Sequence, residues 1–431
     1  MLLRFFVGNH TSIRDEQELS MVALDPRPDA PPTRVLRPDT HVLAVAGIFG
    51  ANASGKSKIV DALNFMRTAV IYSHQRWLPE QKIPRQPFLL DHESRSRPSR
   101  FAVEIVLDRI RYDYGFTCDD VRFRTEWLYS YPKGRRRRLF ERAENGSVRF
   151  GENLTGEREA TRRLTRDNSL FLSAAAANNH EQLTAIHRWF VEDCRVALAE
   201  NAIGRLQETL HVYEKHHGDD VVRLLRFADL GIAGIETSEN KISDDDRGRI
   251  AALLRIVSPE SDQIDPATIE LPPNIFLMHR SDDGRTALPI EVESSGTRTW
   301  LEMIGPILTT LRDGRLLVVD ELDARLHPIL AGHIIKLFQD PRSNPRGAQL
   351  VFNSHDVTPL GPNAPVRLRR DEIWFTEKDS TTGATSLFPL TEYGRIRDGV
   401  DNVERSYLRG RYGAVPFIDE SLAPSLGEMA R

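Results

Sequence analysis

Gly50-Ala51-Asn52-Ala53-Ser54-Gly55-Lys56-Ser57 is the stretch on which the fold turns. It fits G-x-x-x-x-G-K-[ST] at every position. The apolar run at 42–49 reads as a buried strand, and residues 58–66 continue with helical apolar spacing. Strand, glycine-bearing loop and helix in that order make a phosphate site. Gly50 and Gly55 let the backbone curl, so that the N–H groups of the loop face inward toward an anion. The helix N-terminus adds its own attraction for negative charge. Lys56 is placed to reach the β- and γ-phosphates, and the Ser57 hydroxyl to ligate Mg²⁺.

The bulk numbers bound the rest. A chain of 431 residues accommodates two or three lobes. A formal charge of −4 gives no global attraction to nucleic acid or to a membrane surface, and leaves only local patches for that purpose. The two cysteines, Cys118 and Cys194, cannot build a disulfide framework or a cysteine-rich zinc site. They suit a reducing cytosol, so a cytoplasmic location is expected. Arg4 interrupts the N-terminal apolar run, which does not read as a signal peptide. No segment approaches the roughly 18 apolar residues of a membrane helix.

Outward from the phosphate loop, residues 2–8 and 18–23 read as a hairpin, 25–40 as a proline-rich loop, and the nucleotide helix runs to Tyr72. Strand alternation at 101–107, 111–116, 125–128 and 138–141 predicts an antiparallel layer. The period turns helical from 158, with helices over 181–199, 203–215, 220–228 and 243–255. Strand character returns at 287–292. A helix over 297–311 carries Pro306, which should kink it. Strands at 315–319, 348–353, 371–377 and 386–390, with a helix over 326–338, indicate a largely parallel sheet covered by helices.

Three further segments carry chemistry. Leu316-Leu317-Val318-Val319-Asp320-Glu321 is an apolar strand ending in two carboxylates, at the strand end where open α/β sheets place ligands. Asp320 fits a water-mediated Mg²⁺ ligand, and Glu321 a base that polarises the attacking water. Glu293-Ser294-Ser295-Gly296-Thr297 opens a helix. It reads either as a second anion site at Ser295 and Gly296 or as a plain N-cap. Asn353-Ser354-His355-Asp356 ends the next strand and offers His355 to a γ-phosphate.

This ordered set resembles the ABC-type ATPase head, a P-loop fold with a mixed sheet and an antiparallel β layer. The distance in sequence between Lys56 and Asp320, with a helical insertion between, resembles the SMC, RecF and OLD-like branch. Residues 321–328 look like that branch's D-loop, and residues 3–13 like its first strand and turn. Stretches at 168–173, 370–375 and 407–416 resemble stand-alone AAA-family ATPases of bacterial abortive-infection and antiphage loci. The expected domains are an N-terminal lobe at 1–155, a helical insertion at 156–286 and a C-terminal lobe at 287–431.

The resemblance implies ATP hydrolysis with Mg²⁺ and a homodimer, or higher homo-oligomer, that sandwiches ATP between the loop at Lys56 and the partner's Ser295-Gly296. It further implies control of an effector encoded nearby, such as a nuclease. A DNA clamp of repair or recombination is the alternative, with Lys133-Gly134-Arg135-Arg136-Arg137-Arg138 as its local support. That run also reads as a charged hairpin edge, and no aromatic residue interleaves it. A transporter subunit fits less well, because the insertion and D-loop resemble the other branch. The glutamine that ABC heads carry between lobes would fall near 171–179, where Ser173 is followed by four alanines and Asn178-Asn179. Asn178 could substitute, or the alanines continue a helix. The Ser-Gly segment also lacks the second glycine of transporter heads.

Overall fold

A strand buried at every position must lie between two layers, and Val45–Gly50 is such a strand. In the computed structural model, which describes residues 1–24, 34–37, 40–228, 231–240, 243, 246–250, 273–282, 284–362, 364, 366–394 and 401–415, it lies inside a six-stranded sheet. The order is Cys194–Ala197, Leu316–Val319, Gln349–Asn353, Val45–Gly50, Ile373–Lys378, Thr385–Pro389. The first five are mutually parallel, and the last closes the edge as an antiparallel hairpin. The loops that follow Gly50, Val319 and Asn353 therefore leave the same edge of the sheet.

The second layer is a seven-stranded antiparallel sheet. Its order is Val148–Phe150, Arg137–Arg142, Phe123–Tyr131, Ile110–Cys118, Ser99–Leu107, Leu2–Gly8, Gln17–Ser20. The helix Lys56–Tyr72 buries Ile59, Val60, Leu63, Met66 and Val70 along one face, in a core shared with Phe5, Phe101, Tyr114 and Phe116. Gln349 stitches the two sheets: its Oε1 accepts from Leu2 N at 2.6 Å and its Nε2 donates to Leu2 O at 2.9 Å.

By compactness the chain divides into Met1–Glu200 with Thr309–Arg431, and Asn201–Leu308. This differs from an insertion at 156–286. Residues 171–175 are buried, and Phe171 and Leu172 donate their amides to the buried Glu126 at 2.6 and 3.0 Å, so this stretch is core of the first unit. The helix expected over 181–199 also ends early. It passes into a π turn at Trp189–Asp193, and Cys194–Ala197 becomes the edge strand beside Leu316–Val319. The second unit is not all helical either. Ile232–Ser238, Asn274–Ser281 and Gly284–Pro289 form an antiparallel sheet beside the helices Ala202–Val212 and Gly218–Phe227.

The loop expected over 25–40 instead carries the strand Arg34–Arg37, paired with Thr40–Val42; residues 25–33 and 38–39 lie outside the described residues, as do 251–255 of the expected helix 243–255. The C-terminal strip packs inward. Tyr407 and Tyr412 stack on Phe375 at 5.2 and 5.6 Å between centroids, while Pro416 lies outside the described residues.

Candidate functional site

The phosphate loop is built at the end of its strand and braced by neighbours distant in sequence. Gly55, at φ 109°, caps the helix in a conformation that side chains rarely adopt, and a Cβ there would lie 2.3 Å from Thr385 Oγ1. A Cβ on Gly50 would lie 2.5 Å from Thr376 O. The hydroxyls of Ser54 and Thr376 lie 2.6 Å apart, and Thr385 Oγ1 donates to Ser54 O at 2.9 Å. Ala51 is half-buried, Asn52 and Ala53 are exposed, and Ser57 is half-buried at the start of the helix.

Lys56 is buried, and its ammonium points back into the mouth of the loop. Nζ donates to Gly50 O at 2.7 Å and Ala51 O at 3.0 Å. Burial pulls its pKa below the ordinary lysine value, against the attraction of Asp323, Glu321 and Asp320. Its bonds to two carbonyl oxygens are ones that phosphate oxygens, being charged acceptors, can replace.

The neighbouring strand ends complete the edge. Glu321 has φ 57°, a left-handed turn that swings it out of line with Leu316–Val319 and costs roughly 1–2 kcal/mol. Asn353 holds that turn: its Oδ1 accepts from Glu321 N at 2.8 Å, its carbonyl accepts from Leu322 N at 3.0 Å, and its Nδ2 donates to Asp320 Oδ1. Asp323 accepts from the amides of His355 and Asp356 at 3.2 Å each, fixing the turn that carries the histidine.

His355 then stands between cation and anion. Nδ1 is 3.4 Å from Lys56 Nζ, and Nε2 is 3.9 Å from Glu321 Oε1. The first contact is a long hydrogen bond, and the second is longer than a hydrogen bond. The structure thus brings together Lys56, Asp320, Glu321 and His355 on one sheet edge. The residues that position them, Asn353, Asp323, Thr376 and Thr385, carried no functional reading in the sequence. For Asn353 and Asp323 the available signal was their place inside the same short motifs.

A magnesium–nucleotide fits this donor set. Asp320 keeps Oδ2 free of hydrogen bonds among the described residues, and Ser57 offers a hydroxyl, both hard oxygen donors.

Other expected site residues resolve differently. Asn178 is exposed, and its Nδ2 donates to Ala174 O at 2.8 Å, closing the helix Phe171–Ala177. It stands at the C-cap position of that helix. In the second unit Ser294, not Ser295, supplies the cap, accepting from Thr297 N at 3.1 Å. Ser295 is left exposed at the first turn of Ser295–Asp313, with Gly296 half-buried beside it.

The parallel strand order, the phosphate loop and the carboxylates on the next strand ends define an ABC-type P-loop ATPase head. The chain belongs to the family described as "AAA domain, putative AbiEii toxin, Type IV TA system", whose family model matches residues 45–358. No curated protein matches the sequence. Among solved structures, an SMC head bound to the C-terminal winged-helix domain of ScpA is 13% identical and covers 92% of this chain and 99% of its own, with a TM-score of 0.43. A Pyrococcus furiosus SMC head with an extended coiled coil is 9% identical, with coverages of 95% and 98% and a TM-score of 0.34. A Pyrococcus yayanosii SMC head with coiled coil and joint is 11% identical, with coverages of 95% and 99% and a TM-score of 0.36. None of these likenesses bears on function. No helix among the described residues is long and apolar enough to cross a membrane.

Proposed function

We propose that the chain binds and hydrolyses ATP with Mg²⁺ and works as a nucleotide-gated switch. The observation that carries this is the line Lys56–His355–Glu321, with ring nitrogens of His355 at 3.4 and 3.9 Å from its two neighbours. Bound Mg²⁺ would neutralise phosphate charge beside Ser57 and Asp320. Lys56 and His355 stabilise charge on the transferring phosphoryl group, and Glu321 orients the attacking water.

Ser295 and Gly296 extend the proposal to assembly. Their exposed helix start is an anion site that faces the nucleotide of a second copy, so ATP joins two chains and hydrolysis releases them. The switch controls an effector encoded nearby within a defence locus, a reading supported by the resemblance of 168–173, 370–375 and 407–416 to abortive-infection ATPases. Light scattering with and without ATP tests the switch. Glu321→Gln should persist as an ATP-bound dimer, and Lys56→Ala should lose nucleotide and stay in the nucleotide-free state. Identical sizes for wild type and Glu321→Gln under all conditions reject the sandwich. Copurification of a neighbouring gene product, with toxicity only on joint expression, tests the coupling.

A further inference from the structure

The arginine run at the Phe123–Tyr131 to Arg137–Arg142 turn does not stand alone. Sequence shows no aromatic residue within it, but the sheet supplies them from the adjoining strand. The Arg136 guanidinium lies 3.6 Å over the Tyr129 ring, Arg111 lies 3.8 Å over Tyr131, and Arg100 lies 4.7 Å over Trp127. Trp127, Tyr129 and Tyr131 alternate along one strand on the face opposite the fully buried Glu126 and Leu128. Directly across from them in register stand Gly115, Asp113 and Arg111. Three aromatic–guanidinium stacks therefore cross the outer face of the antiparallel sheet.

Cations border the stacks. Beside Arg111 a cavity of about 210 Å³ opens, lined by Arg4, Glu104, Arg109 and Arg111 among others. The carboxylates of this face are engaged. Glu104 lies between Arg4 at 3.2 Å and Arg111 at 3.6 Å, Asp113 accepts from Trp127 Nε1 at 2.8 Å, and Glu141 pairs with Arg138 at 3.8 Å. Arg109 projects from its hairpin tip at φ 63°. Arg109 and Arg135 are exposed and make no ion pair among the described residues, whereas Arg137 stands across from Ser130 in register, on the other face of the sheet.

We propose that this face binds single-stranded nucleic acid. Phosphates engage the unpaired guanidinium groups, and bases stack on the arginine planes that the aromatic rings hold flat. A duplex hides its base faces and cannot use the stacks, so the chemistry selects unpaired strands. The site shares no residue with the nucleotide edge and stands whether or not the switch hydrolyses ATP.

The test is fluorescence anisotropy of the full-length chain with a labelled oligothymidylate of about 16 nucleotides, the upper site size of such grooves. Wild type should bind with an affinity that falls as salt rises. Arg109→Ala with Arg135→Ala should weaken binding and flatten the logarithmic salt slope by roughly 0.7 per lost phosphate contact. Tyr131→Ala should weaken binding about tenfold or more with little change in that slope. Lys56→Ala should bind the oligonucleotide as wild type does, and the double arginine variant should still bind a fluorescent ATP analogue. Unchanged affinity in the arginine pair, tighter binding of a duplex of equal length, or loss of oligonucleotide binding in Lys56→Ala would each overturn the proposal.

Discussion

At the scale of single residues, the side chain with most leverage on the site is Asn353, which touches no nucleotide position itself. It binds the Asp320 carboxylate and the Glu321 amide at once, so it fixes both that side chain and the left-handed turn that carries Glu321. Partners of this kind typically contribute tenfold to a hundredfold to activity or metal affinity. Asn353→Ala should therefore lower kcat by about tenfold to a hundredfold with little change in nucleotide affinity, read from steady-state hydrolysis beside a direct binding titration. Equal losses in kcat and affinity would mean that the loop has collapsed instead. A second residue sets a pH dependence. Glu372 is buried, accepts from Arg369 N and Gln339 Nε2 at 2.8 Å each, and burial raises its pKa from 4.5 to about 8. Below pH 4.5 both folded and unfolded chains hold the proton, and the group contributes nothing to stability. Between pH 4.5 and about 8 the unfolded chain releases it while the folded chain keeps it, so the native state loses stability as pH rises. Glu372→Gln removes the penalty. Its Tm relative to wild type should climb from pH 5 to pH 9, and a constant difference across that range would refute this account.

At the scale of elements, the helix Ser295–Asp313 tolerates Pro306 because a second helix repairs it. Gly305 N donates to Thr209 Oγ1 at 2.8 Å, and the same hydroxyl donates to Leu301 O at 2.8 Å. A hydroxyl inserted in the ladder is one of the recognised ways a helix bends. Gly305 permits the approach, since a Cβ there would lie 2.5 Å from Thr209 N. Thr209→Val keeps the shape but leaves a buried amide and carbonyl without that bridge, and should cost about 1–3 kcal/mol in denaturant unfolding. Thr209→Ser should recover most of it, and no difference between the two variants would sink the idea. Sequence revealed the proline, but the repairing threonine belongs to a helix far away in the chain. The same limit explains the other misreadings. The helix Lys56–Tyr72 was legible to within two residues because motif and apolar spacing are both local. Cys194–Ala197 was read as helix because Trp189-Phe190-Val191 extend the preceding apolar pattern, whereas its strand character comes from the partner Leu316–Val319. Gly284–Pro289 is largely solvent-facing, so only its end at 287–289 read as strand, and Asn274–Ser281 was missed although Ile275 and Leu277 alternate into the interior. The cation–aromatic face was hidden in the same way, because its arginines and rings lie on different strands.

At the scale of the whole molecule, the phosphate loop is held by both ends of the chain. The N-terminal turn supplies Ser12, whose hydroxyl lies 2.8 Å from Thr385 Oγ1 and whose carbonyl accepts from Thr385 N at 2.7 Å. Thr385 passes the contact to Ser54 O in the loop. Gln17 Oε1 accepts from Leu387 N at 2.7 Å, locking the same hairpin to the antiparallel sheet. The C-terminal aromatic strip packs on Phe375, in the strand that also brings Thr376 to Ser54. Loop geometry therefore depends on segments that the phosphate motif does not include. A motif alone fixes the amides' order along the chain, whereas their convergence on an anion requires this outer brace. Thr385→Val tests the brace directly. The valine matches threonine in shape, so the hairpin and its core contacts survive, but Ser54 O and the Ser12 hydroxyl lose a partner. Losing one such hydrogen bond costs about 1 kcal/mol, so the Kd for ATP should rise roughly fivefold. The Tm of the nucleotide-free chain should move by only a few degrees, about what 1 kcal/mol produces in a domain of this size. Titration with a fluorescent ATP analogue beside thermal unfolding separates the two effects. Wild-type affinity in Thr385→Val would show that the loop holds its shape without the brace, and would confine the nucleotide site to the motif and its own helix.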